Sequence, residues 1–233
     1  SIEAQKVSLP LLLVRGDRQA LTEEALMREL CLQGLAYLGE QDVVTADRKF
    51  PVMVMLEAGM KKVLVRRASN FTVRRVLTTE RKQGTQEVRG RPRKHGELIR
   101  PLERTYKGKV LAASKPDDIQ TWVDHQGHQL EANLWRNVLL TEQQGWSEER
   151  KALNQQQAWL VLVVKHPKYP VPMVILLNLA LSPEQAYSVM HGRWGVEQMP
   201  LVAKQLLGGH RMFVFEDEMR FRLPKLLSVA VST

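Results

Sequence analysis

A chain of 233 residues with 44% apolar side chains can bury one substantial core, or a core with an inserted subdomain, and is not the composition of a disordered chain. Its single cysteine, Cys31, excludes an internal disulfide, and no run approaches the ~20 apolar residues that cross a bilayer, so a cytoplasmic protein in a reducing compartment is expected. The net charge of +9 is gathered in one place: between Lys61 and Lys115, seventeen Lys and Arg face four acids, Glu80, Glu87, Glu97 and Glu103, and a block so one-signed points to nucleic acid rather than to a mixed solvated surface.

The chain opens Ser-Ile-Glu rather than with Met, and an upstream segment is expected. Ser8 to Arg15 is a short apolar run ending at Gly16-Asp17 and reads as a buried strand with its turn. From Thr22 the pattern becomes helical, with Thr22 as N-cap, Glu23 and Glu24 in the first turn, and Leu26, Leu30 and Leu35 along one side. Asp42 to Ala46 is a short strand that delivers Asp47, and a second helix from Pro51 to Ala58 stops at Gly59, an αL cap. Lys61 to Arg66 alternates into another strand. Strand, helix and strand at this spacing make a βαβ unit with parallel strands, and Asp47 then stands at a carboxyl end, where α/β sheets place their ligands.

From Arg67 to Asn154 the character changes to basic turns, among them Arg89-Gly-Arg91-Pro-Arg93-Lys94-His95-Gly96, and to stretches around Trp122 and Trp135 that flank Gly127 and read as a hairpin. Ala158 to Val164 and Met173 to Leu177 are apolar strands joined by the turn Lys165 to Pro170. A helix from Ser182 to about Leu207 follows, with a Ser182/Gln185 capping box, Pro183 at its first position, an interruption at Pro200 and Gly208-Gly209 at its end. Asp217 to Val231 forms a final helix. His125, His128, His166 and His191 show no metal-ligand spacing, and Asn178 reads as structural.

On the long helix Tyr187, Trp194, Glu197 and Lys204 fall on related turns. Spacing alone favours a surface ion pair, with Tyr187 and Trp194 as packing residues, over a site. Tyr187-Ser-Val-Met-His-Gly-Arg193-Trp194-Gly-Val-Glu197, followed by Lys204, resembles the Tyr-Arg-Glu signature of bacterial insertion-sequence DDE transposases. Two further stretches resemble the same family in the same order: Val44-Thr-Ala-Asp47-Arg-Lys-Phe50, similar to the strand of its second aspartate, and Gly90-Arg-Pro-Arg-Lys-His-Gly96, similar to a basic motif of one branch.

The resemblance implies an α/β, RNase H-like core, N-terminally incomplete here, with a basic, mostly β or irregular inserted subdomain. Residues 1–66 and 158–233 would be the two parts of the core and 67–157 the insertion. It also implies two Mg²⁺ (or Mn²⁺) ions, roughly 3.5 to 4 Å apart, held by two aspartates and one glutamate. Carried over residue by residue, Asp47 is the second carboxylate and Glu197 the third. Arg193 and Lys204 would contact DNA near the cleaved phosphate, Tyr187 would position the strand end, and Arg91, Arg93 and Lys94 would bind backbone phosphates. The first carboxylate has no counterpart, because the run at Leu9 to Arg15 matches the family's third strand; Asp17 is a weak substitute, and Asp42, Asp117, Asp118 and Asp124 have no better claim. The expected function is DNA transposition by metal-dependent strand cleavage and transfer, with a homodimer acting on paired ends. The alternatives are a catalytically inactive DNA-binding remnant and another RNase H-like nuclease.

Overall fold

A computed structural model describes residues 22–77 and 96–192. The chain divides into two compact units, residues 1–42 with 188–233, and residues 43–187. In the first, helix α1 (Glu23–Gly34) starts where the sequence places it, because the Thr22 hydroxyl accepts the backbone N–H of Ala25 at 3.2 Å, and a 3₁₀ turn (Leu35–Tyr37) continues it. The apolar stripe is half-buried at Leu26, Leu30 and Leu35 and fully buried at Cys31, whose thiol is pushed up to about 11 by burial.

The larger unit is an α/β structure built on one mixed sheet. Strand β1 (Val44–Ala46), helix α2 (Val52–Glu57) and strand β2 (Val63–Arg67) form the expected parallel unit, with Val44 opposite Val63 and Ala46 opposite Val65. Helix α2 is apolar up to its last residue, Glu57, and Val52 to Leu56 are all buried. It ends in a Schellman motif: Met60 N–H donates to Met55 O (3.0 Å), Gly59 N–H donates to Leu56 O (2.9 Å), and Gly59 adopts φ 99°. Then come β3 (Val73–Arg75), β4 (Leu98–Ile99), β5 (Arg104–Tyr106), β6 (Lys109–Leu111), β7 (Asp118–Val123), β8 (Gln129–Leu140), α3 (Glu148–Gln155), β9 (Trp159–Lys165), β10 (Met173–Leu177) and α4 (Pro183–Gly192).

The sheet runs β1-β2-β10-β9-β8-β3-β4, with β7 also on β8, while β5 and β6 form a separate ribbon. Among the described residues only β1 and β2 pair in parallel. Consecutive residues of β2, β9 and β10 are buried (Val63 to Val65, Val161 to Val164, Val174 to Leu177), so both faces of the sheet centre are covered, which is why these strands read as unbroken apolar runs. Strands β3, β4, β7 and β8 of the stretch 67–157 thus join the same sheet as β1, β2, β9 and β10.

Strand β8 is long enough for two neighbours on one side, pairing β7 at Gln129 to Leu134 and β3 at Val138 to Leu140. Between them its register slips at Trp135/Val138, with Asn137 at φ 51°. Asp117 fills the gap: its Oδ2 accepts the Arg136 N–H and Arg75 Nη1, both at 2.8 Å, and its other oxygen pairs with Arg75 Nη2.

Helix α3 was not among the expected elements, although Ser147-Glu148-Glu149 is an N-cap pattern and the Ser147 hydroxyl accepts the Arg150 N–H at 3.2 Å. The Ser182/Gln185 capping box of α4 is reciprocal, at 3.1 and 3.0 Å. The helix is described to Gly192; the rest of the expected helix, the final helix and the strand at Ser8 to Arg15 lie outside the described residues. No helix among the described residues is long and apolar enough to cross a membrane.

Candidate functional site

Of the residues singled out from the sequence, Asp47 and Tyr187 are described, while Arg91, Arg93, Lys94, Arg193, Glu197, Lys204 and Asp17 lie outside the described residues. Asp47 is the first residue after β1 and is exposed. Its carbonyl accepts the Phe50 N–H (2.9 Å), which turns the chain into α2. Arg67, at the end of β2, donates from Nη1 to the carbonyl of that same Phe50 (3.4 Å) and lies 4.7 Å over the Phe71 ring; burial pulls its pKa below the ordinary value. The carboxyl end of the parallel pair therefore carries a carboxylate on one strand and a partly desolvated guanidinium tied to the same turn.

Tyr187 stands on α4 with its ring packed edge-on to Trp122 (centroids 6.1 Å apart) and stacked near His166 (6.2 Å). Burial raises its pKa, aided by Tyr169 and the Asp124 carboxylate. The basic block is less uniform than its composition suggests. Arg75 is paired with Asp117, Arg74 donates to Gly96 O (3.2 Å) and Arg104 donates to Asn70 O (3.1 Å), so these side chains, with Arg67, fasten loops to strands.

The structure also brings together three residues that spacing did not. Asp124 opens the turn between β7 and β8. Its Oδ1 accepts the N–H groups of Gln126 and His128, both at 2.8 Å, and Gly127, at φ 82°, supplies the αL residue of a hairpin with a bulge. His166 opens the turn between β9 and β10. Because Glu131 of β8 pairs with Lys165 of β9, the start of one strand and the end of the other meet at one end of the sheet. His128 Nδ1 lies 3.1 Å and His166 Nε2 3.4 Å from Asp124 Oδ2, and one ligand atom from each of the three residues falls within 4.8 Å of the others. This is a cluster that could hold a metal ion, although His128 and His166 show no metal-ligand spacing in the sequence: the ligands come from two hairpins, and spacing within one segment cannot reveal that.

The side chains of Asp124 and His166 are 11% and 7% exposed, and that of His128 23%. Burial works to raise the Asp124 pKa, but the backbone N–H groups of His128 and Gln126 and the His128 ring outweigh it and hold the carboxyl well below its ordinary 3.8. The Lys168 N–H donates to His166 Nδ1 (3.0 Å), which leaves the neutral ring's proton on Nε2, facing Asp124. A cation at Nε2 would move that proton to Nδ1 and turn the exposed Lys168 N–H to water. That costs about one hydrogen bond, ~1 kcal/mol net, against apparent binding energies of about 10–16 kcal/mol for structural zinc in small peptides. The hydrogen bond does not protect the site from a metal.

No family model matches the chain, and no curated protein matches it.

Proposed function

We propose that the chain is the C-terminal part of a DNA transposase of the DDE type, which cuts and joins DNA strands with Mg²⁺ or Mn²⁺ ions on an RNase H-like core, and that Asp47 and Glu197 are two of the three carboxylates that hold those ions. The observation that carries this reading is the position of Asp47, exposed at the carboxyl end of β1 in a parallel pair, where α/β sheets present groups to their ligands. The Tyr187-Arg193-Glu197-Lys204 signature supports it, as does the capped helix α4 that leads into it. Carboxylate oxygens fit hard Mg²⁺, and the bound ions supply activation of the attacking oxygen and stabilisation of the leaving one. Asp47 and Glu197 hold the charge in place; Arg193, Lys204, Arg91, Arg93 and Lys94 bind phosphates; Tyr187, braced by Trp122, positions the strand end. Two copies act on paired DNA ends.

The test is strand cleavage of DNA bearing the element's terminal repeats, in Mg²⁺ or Mn²⁺, by this chain joined to the strands that supply the first aspartate. Asp47→Asn and Glu197→Gln should each lower the rate on the order of a thousandfold, equivalent to several kcal/mol of lost transition-state stabilisation, while DNA binding stays within about twofold. Cleavage by Asp47→Asn at the wild-type rate would sink the reading.

A further inference from the structure

We propose that Asp124, His128 and His166 bind one borderline divalent cation of the zinc class, through donors other than the carboxylates assigned to Asp47 and Glu197. Ligand atoms at metal distances of about 2.0–2.2 Å, spread between tetrahedral and octahedral angles, stand about 2.9–3.5 Å from one another. The two edges from Asp124 Oδ2, 3.1 Å to His128 and 3.4 Å to His166, already have that length without a cation. Two hairpin turns fix the three donors independently, Asp124 and His128 through the hydrogen-bonded turn around Gly127, and His166 through the β8/β9 register.

The donor set chooses the metal. Two imidazole nitrogens and one carboxylate suit Zn²⁺, Co²⁺, Ni²⁺, Cu²⁺ or Fe²⁺, whereas Mg²⁺ asks for oxygen ligands. The enclosure of Asp124 and His166 limits competing water, and the partial exposure of His128 leaves a way in and a position for one solvent ligand. Tyr169 and Tyr187 lie 4.9 and 6.2 Å from the His166 ring and complete an aromatic wall. On binding, each ring keeps one proton, which passes from the ligating nitrogen to the other. The cation then takes over from Asp124 the task of joining the β7/β8 turn to the β9/β10 turn, and it should stabilise the fold by mass action.

The experiment is Co²⁺ and Zn²⁺ titration of chelator-stripped residues 1–233, read by visible Co²⁺ absorption and by melting temperature. One equivalent of Co²⁺ should give d–d bands without a thiolate charge-transfer band, displaced by one equivalent of Zn²⁺, with a rise in melting temperature. His128→Gln and His166→Gln should each weaken affinity at least tenfold, while His125→Gln, an exposed neighbour in the same turn, should leave it unchanged. If the variants do not fold, ¹⁵N spectra of the wild-type imidazoles decide: Zn²⁺ should shift His128 Nδ1 and His166 Nε2. No Co²⁺ uptake, full affinity in both folded glutamine variants, or Zn²⁺-insensitive signals at those two nitrogens would overturn the proposal.

Discussion

Asn154 is the one fully buried polar side chain among the described residues, and it replaces a strand for Leu140: its Oδ1 accepts the Leu140 N–H (3.1 Å) and its Nδ2 donates to the Leu140 carbonyl (3.0 Å). Asn154→Leu keeps the branched shape, at a larger volume, but orphans both backbone groups, so unfolding in urea should show a loss of roughly 2–5 kcal/mol. Asp117 makes a weaker, titratable tie. The Arg75 guanidinium, ahead of the opposing effect of burial and the help of the Arg136 N–H, holds its carboxyl below the ordinary 3.8. Since the folded pKa is the lower one, the stabilisation is complete above about 3.8 and lost as the pH falls through the folded value. Melting temperature should therefore drop less steeply below pH 4 in Asp117→Asn than in the wild type, and parallel curves would assign the acid loss elsewhere. Neither residue stood out in the sequence. Asn154 is an ordinary helix polar residue and Asp117 an ordinary loop acid until a partner many residues away arrives.

Among the elements, those with local causes were the legible ones. Thr22, the Ser182/Gln185 box and Gly59 mark helix ends because the groups they satisfy lie within a few residues. The apolar runs of β9 and β10 announced a sheet centre for the same reason, and the hairpin at Gly127 followed from its turn. The position of β3 between β4 and β8, the bulge in β8 and the meeting of Asp124 with His166 depend on strand pairings remote in sequence, and no pattern within a segment encodes them. Two changes test the local account. Ser182→Ala should cost about 1 kcal/mol in thermal or urea unfolding, through loss of the cap on Gln185 N–H. Gly96→Ala should be far worse, because a Cβ there would stand 2.1 Å from the Arg75 carbonyl, and β4 could no longer reach β3 without a backbone shift. A Gly96→Ala protein as stable as the wild type would mean that this close approach is not needed.

At the scale of the whole molecule, the proposed DNA partner is tested through the basic block. Four arginines of the basic block fasten the fold, and the proposed phosphate contacts are assigned to Arg91, Arg93 and Lys94. Replacing those three with Ala should flatten the dependence of DNA affinity on salt by up to about three units, whereas Arg104→Ala should leave the slope nearly unchanged. A triple variant with the wild-type slope would make the block a solvated surface. Asp47 was legible as a strand-end carboxylate, while its relation to Glu197 rests on a motif alone, since bringing them together is tertiary. Iron-mediated cleavage of the protein measures that relation directly. With Fe²⁺ in place of Mg²⁺ and a peroxide source, hydroxyl radicals cut the backbone beside the bound ion. Cuts near residue 47 and near residue 197, both lost in Asp47→Asn while any cut near Asp124 or His166 persists, are the expected result; a protein uncut near 47, or cut near 197 regardless of Asp47→Asn, would contradict a shared metal site.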